Sequence, residues 1–324
     1  MVSVNSKFNS SAMRGSENGV CHRVRCSKHT LFGYMEKVIV RYRSQGQLRT
    51  SETYSSTLNS FRTFRKGMDL PLKEVDSELM EAYGHHLKHI GLSPNTISFY
   101  LKHLRAVYNR AVDEGLVVDK HPFRRVTTSI AKTPKRALSL QLVRQLKAMD
   151  LSHDPSRCFA RDMFLFSFYT RGMSFVDIAY LQKKNLKNGI LSYCRRKTHQ
   201  RLSMHWEGCM QEIVDKYCAD KDSPYLFSIL PPLGDDSRKR YLSVMCRINR
   251  HLKQLGEELG MHQPLTLYCA RHSWASIAHE KGIPLSVISE GMGHDSEKTT
   301  QIYLASLQTE VIDKANRKIL KLLC

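Results

Sequence analysis

The stretch LTLYCARHSWASIAHEKGIPLSVISEGMGHDSEKTTQIYL, Leu265 to Leu304, decides how the chain is read. Leu267, Ala270, Trp274, Ile277 and Ala278 recur at helical spacing between Thr266 and Lys281. One face of that helix is therefore expected to be buried while Arg271 points elsewhere. Gly282 stops it. Pro284 suits the first turn of a second helix over Leu285 to Glu290, which Gly291 is expected to close before His294 emerges on a turn. The polar run Asp295 to Gln301 then delivers Tyr303 on a short, weakly apolar segment, a poor place to hide an aromatic ring. A tyrosine positioned near Arg271, His272 and His294 points to nucleophilic chemistry.

Working outward, the domain that carries this stretch is read as residues 138–324. Ser139 caps its first helix. A buried helix follows Pro155, with Phe159, Met163, Phe166 and Phe168 around it, and breaks at Arg171-Gly172. Asn188-Gly189 is a turn signal, after which Ile190 to Arg195 and Leu202 to Trp206 read as two strands. Arg196, Lys197, Thr198 and His199 form the tip of that hairpin, which exposes Lys197. Glu207 to Lys221 reads as helix, Tyr225 to Phe227 as a short extended piece, and Ser237 to Leu259 as a long basic helix. After Tyr303, the four-residue spacing of Leu307, Val311, Ala315 and Ile319 gives a last amphipathic helix, either core or a handle for another subunit.

Residues 28–118 read as a small all-α domain. Leu31, Met35, Val38, Ile39 and Tyr42 mark its first helix, and Tyr54, Leu58, Phe61 and Phe64 a second that Gly67 ends. Ser77 opens a third that Gly91 closes, and Ser93-Pro94 caps a fourth with Ile97, Leu101, Leu104, Tyr108 and Ala111 on one stripe. The polar faces carry many arginines and lysines and few acids, as a DNA-facing surface requires. Residues 119–137, around KHPFRRVTTSIAKTPKR, read as a basic linker lying along a phosphate backbone, and residues 1–27 as a disordered basic arm. The whole is mainly α with a small β-sheet.

Lys and Arg total 50 against 30 Asp and Glu, a formal charge of +20, so a polyanion partner is expected. With no apolar run of spanning length, no secretory signal and no lipidation motif, double-stranded DNA in the cytoplasm is preferred over a membrane. Nine scattered cysteines fit reduced thiols rather than a disulfide framework. Cys21, Cys26 and His29 lack a second ligand pair at finger spacing, so neither metal nor cofactor is expected.

These residues resemble one family, the tyrosine site-specific recombinases or phage-type integrases, over about residue 30 to the end. Arg271 with His272 in CARHSWAS, Gly293-His294 and Tyr303 match that family's second arginine, second histidine and nucleophile in order and spacing. The resemblance implies a helical SAM-like core-binding domain followed by an α/β catalytic domain. It implies cleavage and rejoining of DNA through a 3′-phosphotyrosine, with Arg271 and His294 on the phosphate and Lys197 protonating the leaving 5′-oxygen. It also implies a homotetramer on paired DNA sites, with accessory DNA-bending proteins as further partners.

Two departures stand out. Tyr268 occupies the place of the family's first histidine, where a hydroxyl still donates a hydrogen bond. Ser174 occupies the place of the first arginine, three residues before Asp177; Arg171, one turn earlier, is expected to substitute if the helix continues through it. The RGMSFVD wording resembles the Bacteroides-type branch of integrases and invertases of mobile elements. Two other readings stay open: a recombinase-like protein that binds DNA without cutting, separable by covalent capture, and a topoisomerase-like relaxing enzyme, separable on supercoiled DNA without paired sites.

Overall fold

The computed structural model describes residues 29–129, 136–231, 237–294 and 300–301. The chain divides into two compact units, Met1–Lys132 and Thr133–Cys324.

The first unit is a four-helix domain: α1 (Leu31–Ser44), α2 (Leu48–Phe64), α3 (Ser77–His89) and α4 (Pro94–Asp113). Asp76 caps α3 by accepting from Leu79 N, and Ser93 caps α4 by accepting from Thr96 N. Each cap satisfies an amide that the first turn leaves without a helical partner. Leu31, Met35, Phe61, Met80, Tyr83, Leu101 and Tyr108 fill the core. The Phe61 ring meets Tyr83 edge-on at 4.9 Å, and Ser60 Oγ bonds the Tyr83 hydroxyl at 2.7 Å, so the one polar atom of that buried ring is satisfied. Phe123 folds back onto the same core, drawing the start of the 119–137 segment into this unit.

The second unit is built on α6 (Pro155–Tyr169), preceded by α5 (Leu140–Ala148) and followed by a short α7 (Phe175–Ala179). Three strands, β1 (Leu186–Lys187), β2 (Ile190–Cys194) and β3 (Arg201–His205), form an antiparallel sheet in the order β1-β2-β3. Leu191 faces Met204 and Cys194 faces Arg201. Next come α8 (Gly208–Tyr217), α9 (Ser237–Glu258), α10 (Leu267–Glu280) and α11 (Leu285–Met292). The buried faces of α6, α9 and α10 share one core, in which Phe166 meets Phe227 edge-on at 4.9 Å.

Several local expectations are corrected. The helix expected over Glu207–Lys221 ends at Tyr217, because Cys218 pairs with Phe227 in an extended bridge. The helix expected to close at Gly291 runs through it to Met292. The two-residue β1 and the five-residue α7 are too short to leave a periodic signal. No helix among the described residues is long and apolar enough to cross a membrane. The arm, Tyr303 and the expected helix around Leu307–Ile319 lie outside the described residues.

Candidate active site

Two helix ends frame the site. At the end of α11, Gly293 takes φ +63° and its N–H donates to Glu290 O, while His294 N donates to Ser289 O at 3.0 Å. That paired closure satisfies two terminal carbonyls and leaves those of Met292 and Gly293 to other donors. α6 ends the same way, with Arg171 N on Phe168 O at 3.1 Å and Gly172 N on Ser167 O at 2.7 Å. Arg171 therefore sits at φ +58°, outside the helix. The continuous helix that would have put Arg171 and Ser174 on one face does not exist.

Arg271, on α10, bridges the two ends: Nη1 donates to Gly172 O at 2.9 Å and Nη2 to Met292 O at 2.7 Å. The residue is only 5% exposed, so the expectation that it points away from the buried face is corrected. Its guanidinium lies between helix C-termini because their unpaired carbonyls and dipoles attract a cation. A second arginine joins it. Arg195, at the base of the hairpin and 8% exposed, donates through Nη1 to Gly293 O. Arg195 carries no local signal beyond its position at the end of an expected strand; the carbonyl it bonds is 98 residues away.

Glycines make room for both. A Cβ on Gly172, at φ +79°, would stand 2.7 Å from Arg271 Cα and Cγ, and one on Gly293 would stand 3.1 Å from Arg195 Cδ. Burial, then repulsion from Arg195, pulls the Arg271 pKa down to about 10, so it remains charged at neutral pH. The carboxylate in this cluster is already engaged: Asp177 accepts from Ser174 Oγ at 2.6 Å and from Arg196 N at 2.9 Å. The Tyr193 phenol is pushed up by burial and by Asp177, while Arg195, Arg271 and Arg171 all lie close enough to pull it down. The cluster is thus rich in fixed positive charge, a setting for an anion.

The other expected residues distribute around this pair. His294 follows the α11 end directly, and its Nδ1 lies 2.7 Å from Thr300 Oγ1, which fixes the ring. Lys197 is exposed on the 195–200 turn. Tyr268 is 55% exposed, yet desolvation of its hydroxyl raises its pKa against the pull of Arg271 and Arg195. The ring meets His272 edge-on at 4.7 Å. Arg171 is half-buried and turns towards α11, its Cδ 3.6 Å from where a Gly291 Cβ would lie. Ser174 is tied to Asp177 at the start of α7. Among the described residues no cluster of His, Cys, Asp or Glu is arranged to hold a metal.

The fold matches known proteins. Residues 30–129 match the phage integrase SAM-like domain and residues 144–310 the phage integrase family. Tyrosine recombinase XerD of Listeria innocua is 24% identical over 232 residues, covering 66% of this chain and 72% of XerD. Tyrosine recombinase XerA of Thermococcus kodakarensis is 26% identical over 242 residues, covering 72% of this chain and 78% of XerA. Among solved structures, a lambda integrase tetramer bound to a Holliday junction superposes with a TM-score of 0.65 at 16% identity, covering 85% of this chain and 77% of that one. The XerH site-specific recombinase bound to its difH substrate gives 0.63 at 16%, covering 87% and 83%.

The chain belongs to the phage integrase family, the tyrosine recombinases. It is a site-specific recombinase, an enzyme that cuts and rejoins DNA.

Proposed function

We propose that Tyr303 attacks a phosphodiester of duplex DNA in the pocket between the α6 and α11 ends. The tyrosine oxygen bonds to phosphorus, its proton passes to solvent, and the P–O5′ bond breaks as Lys197 protonates the leaving oxygen. The product is a 3′-phosphotyrosine that conserves the bond for rejoining. Arg271 holds the non-bridging oxygens, where charge accumulates in the transition state, and its remaining N–H groups are already oriented by the two carbonyl bonds. His294 and Tyr268 donate hydrogen bonds to the same phosphate, and Arg171 adds charge at the rim.

The observation that carries this reading is a buried guanidinium pinned by Gly172 O and Met292 O directly beside His294. Thr300, bonded to that histidine, stands three residues before Tyr303 in the chain, which supports the assignment of the nucleophile. Residues 28–118 act as the DNA-binding clamp, 119–137 as the basic linker and 1–27 as a basic arm. The assembly is a homotetramer on paired sites, consistent with the lambda integrase tetramer on its junction. Cytoplasmic location, accessory DNA-bending partners and a place in the Bacteroides-type branch complete the proposal, the last resting on the RGMSFVD segment.

The test uses a nicked duplex carrying the site that the wild-type protein selects from a randomised DNA pool. Wild type should form a denaturation-resistant protein–DNA band, and Tyr303→Phe should bind the duplex but form none. A persistent band in the variant would move the nucleophile to another residue.

A further inference from the structure

The arginine expected at position 174 is a serine whose hydroxyl is committed to Asp177. Arg171 leaves α6 at a left-handed residue and lies against Gly291. A five-coordinate phosphorus with charge on two non-bridging oxygens is best held by two guanidiniums, and Arg271 is only one.

We propose that Arg195 is the second phosphate-binding arginine of the cleavage site, contacting a non-bridging oxygen beside Arg271. This inference rests on the cleavage reading above. Three observations carry it. The two arginines grip neighbouring carbonyls of one helix end, Met292 O for Arg271 and Gly293 O for Arg195. That places both cationic heads against the residues that lead directly into His294. Secondly, Arg195 is nearly as buried as Arg271, and the oxygens of Asp177 are engaged by Ser174 and the Arg196 amide. Two neighbouring buried cations are costly unless an anion joins them. The mutual repulsion that helps depress Arg271 reflects the same closeness. Thirdly, Gln200 Oε1 and Thr198 Oγ1 on the same turn are buried without a hydrogen-bond partner among the described residues. The Gln200 oxygen lies 2.9 Å from where a Gly293 Cβ would be. The Thr198 hydroxyl can donate to a phosphate oxygen, and the Gln200 amide can do so through its Nε2 once the group is turned over.

The alternative is that Arg195 only ties the hairpin to α11. Charge substitution in the substrate separates the two roles. Covalent-complex formation is measured in single turnover on the nicked duplex, once with an ordinary scissile phosphodiester and once with a neutral methylphosphonate there. Arg195→Ala removes the guanidinium, while Arg195→Gln keeps a stem and an N–H donor for Gly293 O but no charge. On the phosphodiester both variants should cleave on the order of a hundredfold more slowly than wild type while still binding the duplex. On the methylphosphonate, which has one fewer charge to hold, the wild-type-to-variant ratio should fall at least about tenfold. Ser174→Arg should partly restore Arg195→Ala.

An unchanged ratio on the two substrates, or wild-type rates on the phosphodiester, overturns the proposal. Tyr303→Phe is run alongside: a covalent band in that variant defeats the assignment of the nucleophile while leaving the arginine comparison readable.

Discussion

Gly172→Ala tests the packing on which the site depends. Gly172 has φ +79°, a conformation that costs a residue with a Cβ about 1–2 kcal/mol. The new Cβ would also stand 2.7 Å from Arg271 Cα and Cγ and 2.8 Å from Cβ. Because one of those atoms is backbone, rotamer change alone cannot relieve the overlap; α10 or the end of α6 must shift, at about 1–3 kcal/mol. The sum, roughly 2–5 kcal/mol, corresponds to a fall of about 4–20 °C in the Tm of the second unit, at about 2–4 °C per kcal/mol for a domain of this size. Gly189→Ala is the control: its φ is +71° but nothing lies within 4 Å, so it carries the backbone cost alone. Differential scanning calorimetry of both variants isolates the crowding. If Gly172→Ala melts within about a degree of Gly189→Ala, the close approach of Arg271 to this glycine is not a constraint and the reasoning fails.

Arg271→Ala should slow covalent-complex formation on the order of a hundredfold or more, whereas Arg171→Ala, lying at the rim, should slow it by less than about tenfold; equal effects would put Arg171 on the phosphate. Tyr268→Phe should slow cleavage about tenfold, by the same factor at pH 7 and pH 9. Its phenol has a raised pKa, so it is the protonated donor at both values and would ionise only above the ordinary tyrosine range. A factor that shrinks towards pH 9 would mean that the hydroxyl titrates within that interval.

Much of this architecture is legible in the sequence because it rests on local signals. Ser93-Pro94, Ser139 and Asn188-Gly189 mark a cap, a cap and a turn through their own backbone chemistry, and the structure has α4, α5 and β2 where those signals put them. The end of α11 is less legible. Gly291 and Gly293 are both plausible terminators, and only Gly293 adopts the left-handed conformation. The arginine pair was illegible for a different reason. Arg271 sits on a helix whose periodicity leaves it off the apolar stripe, yet carbonyls from two other helix ends bury it. Arg195 reads as the end of a strand until Gly293 is brought beside it. Neither contact has a short-range pattern, since each spans roughly a hundred residues of chain (99 for Arg271–Gly172 and 98 for Arg195–Gly293).

The most direct test of the cleavage account is to trap wild-type protein on the nicked duplex, digest the complex, and locate the nucleotide-linked peptide by mass spectrometry. The account predicts one modified residue, Tyr303, joined to a 3′-phosphate. A nucleotide on any other tyrosine, or a linkage to a 5′-phosphate, would contradict it.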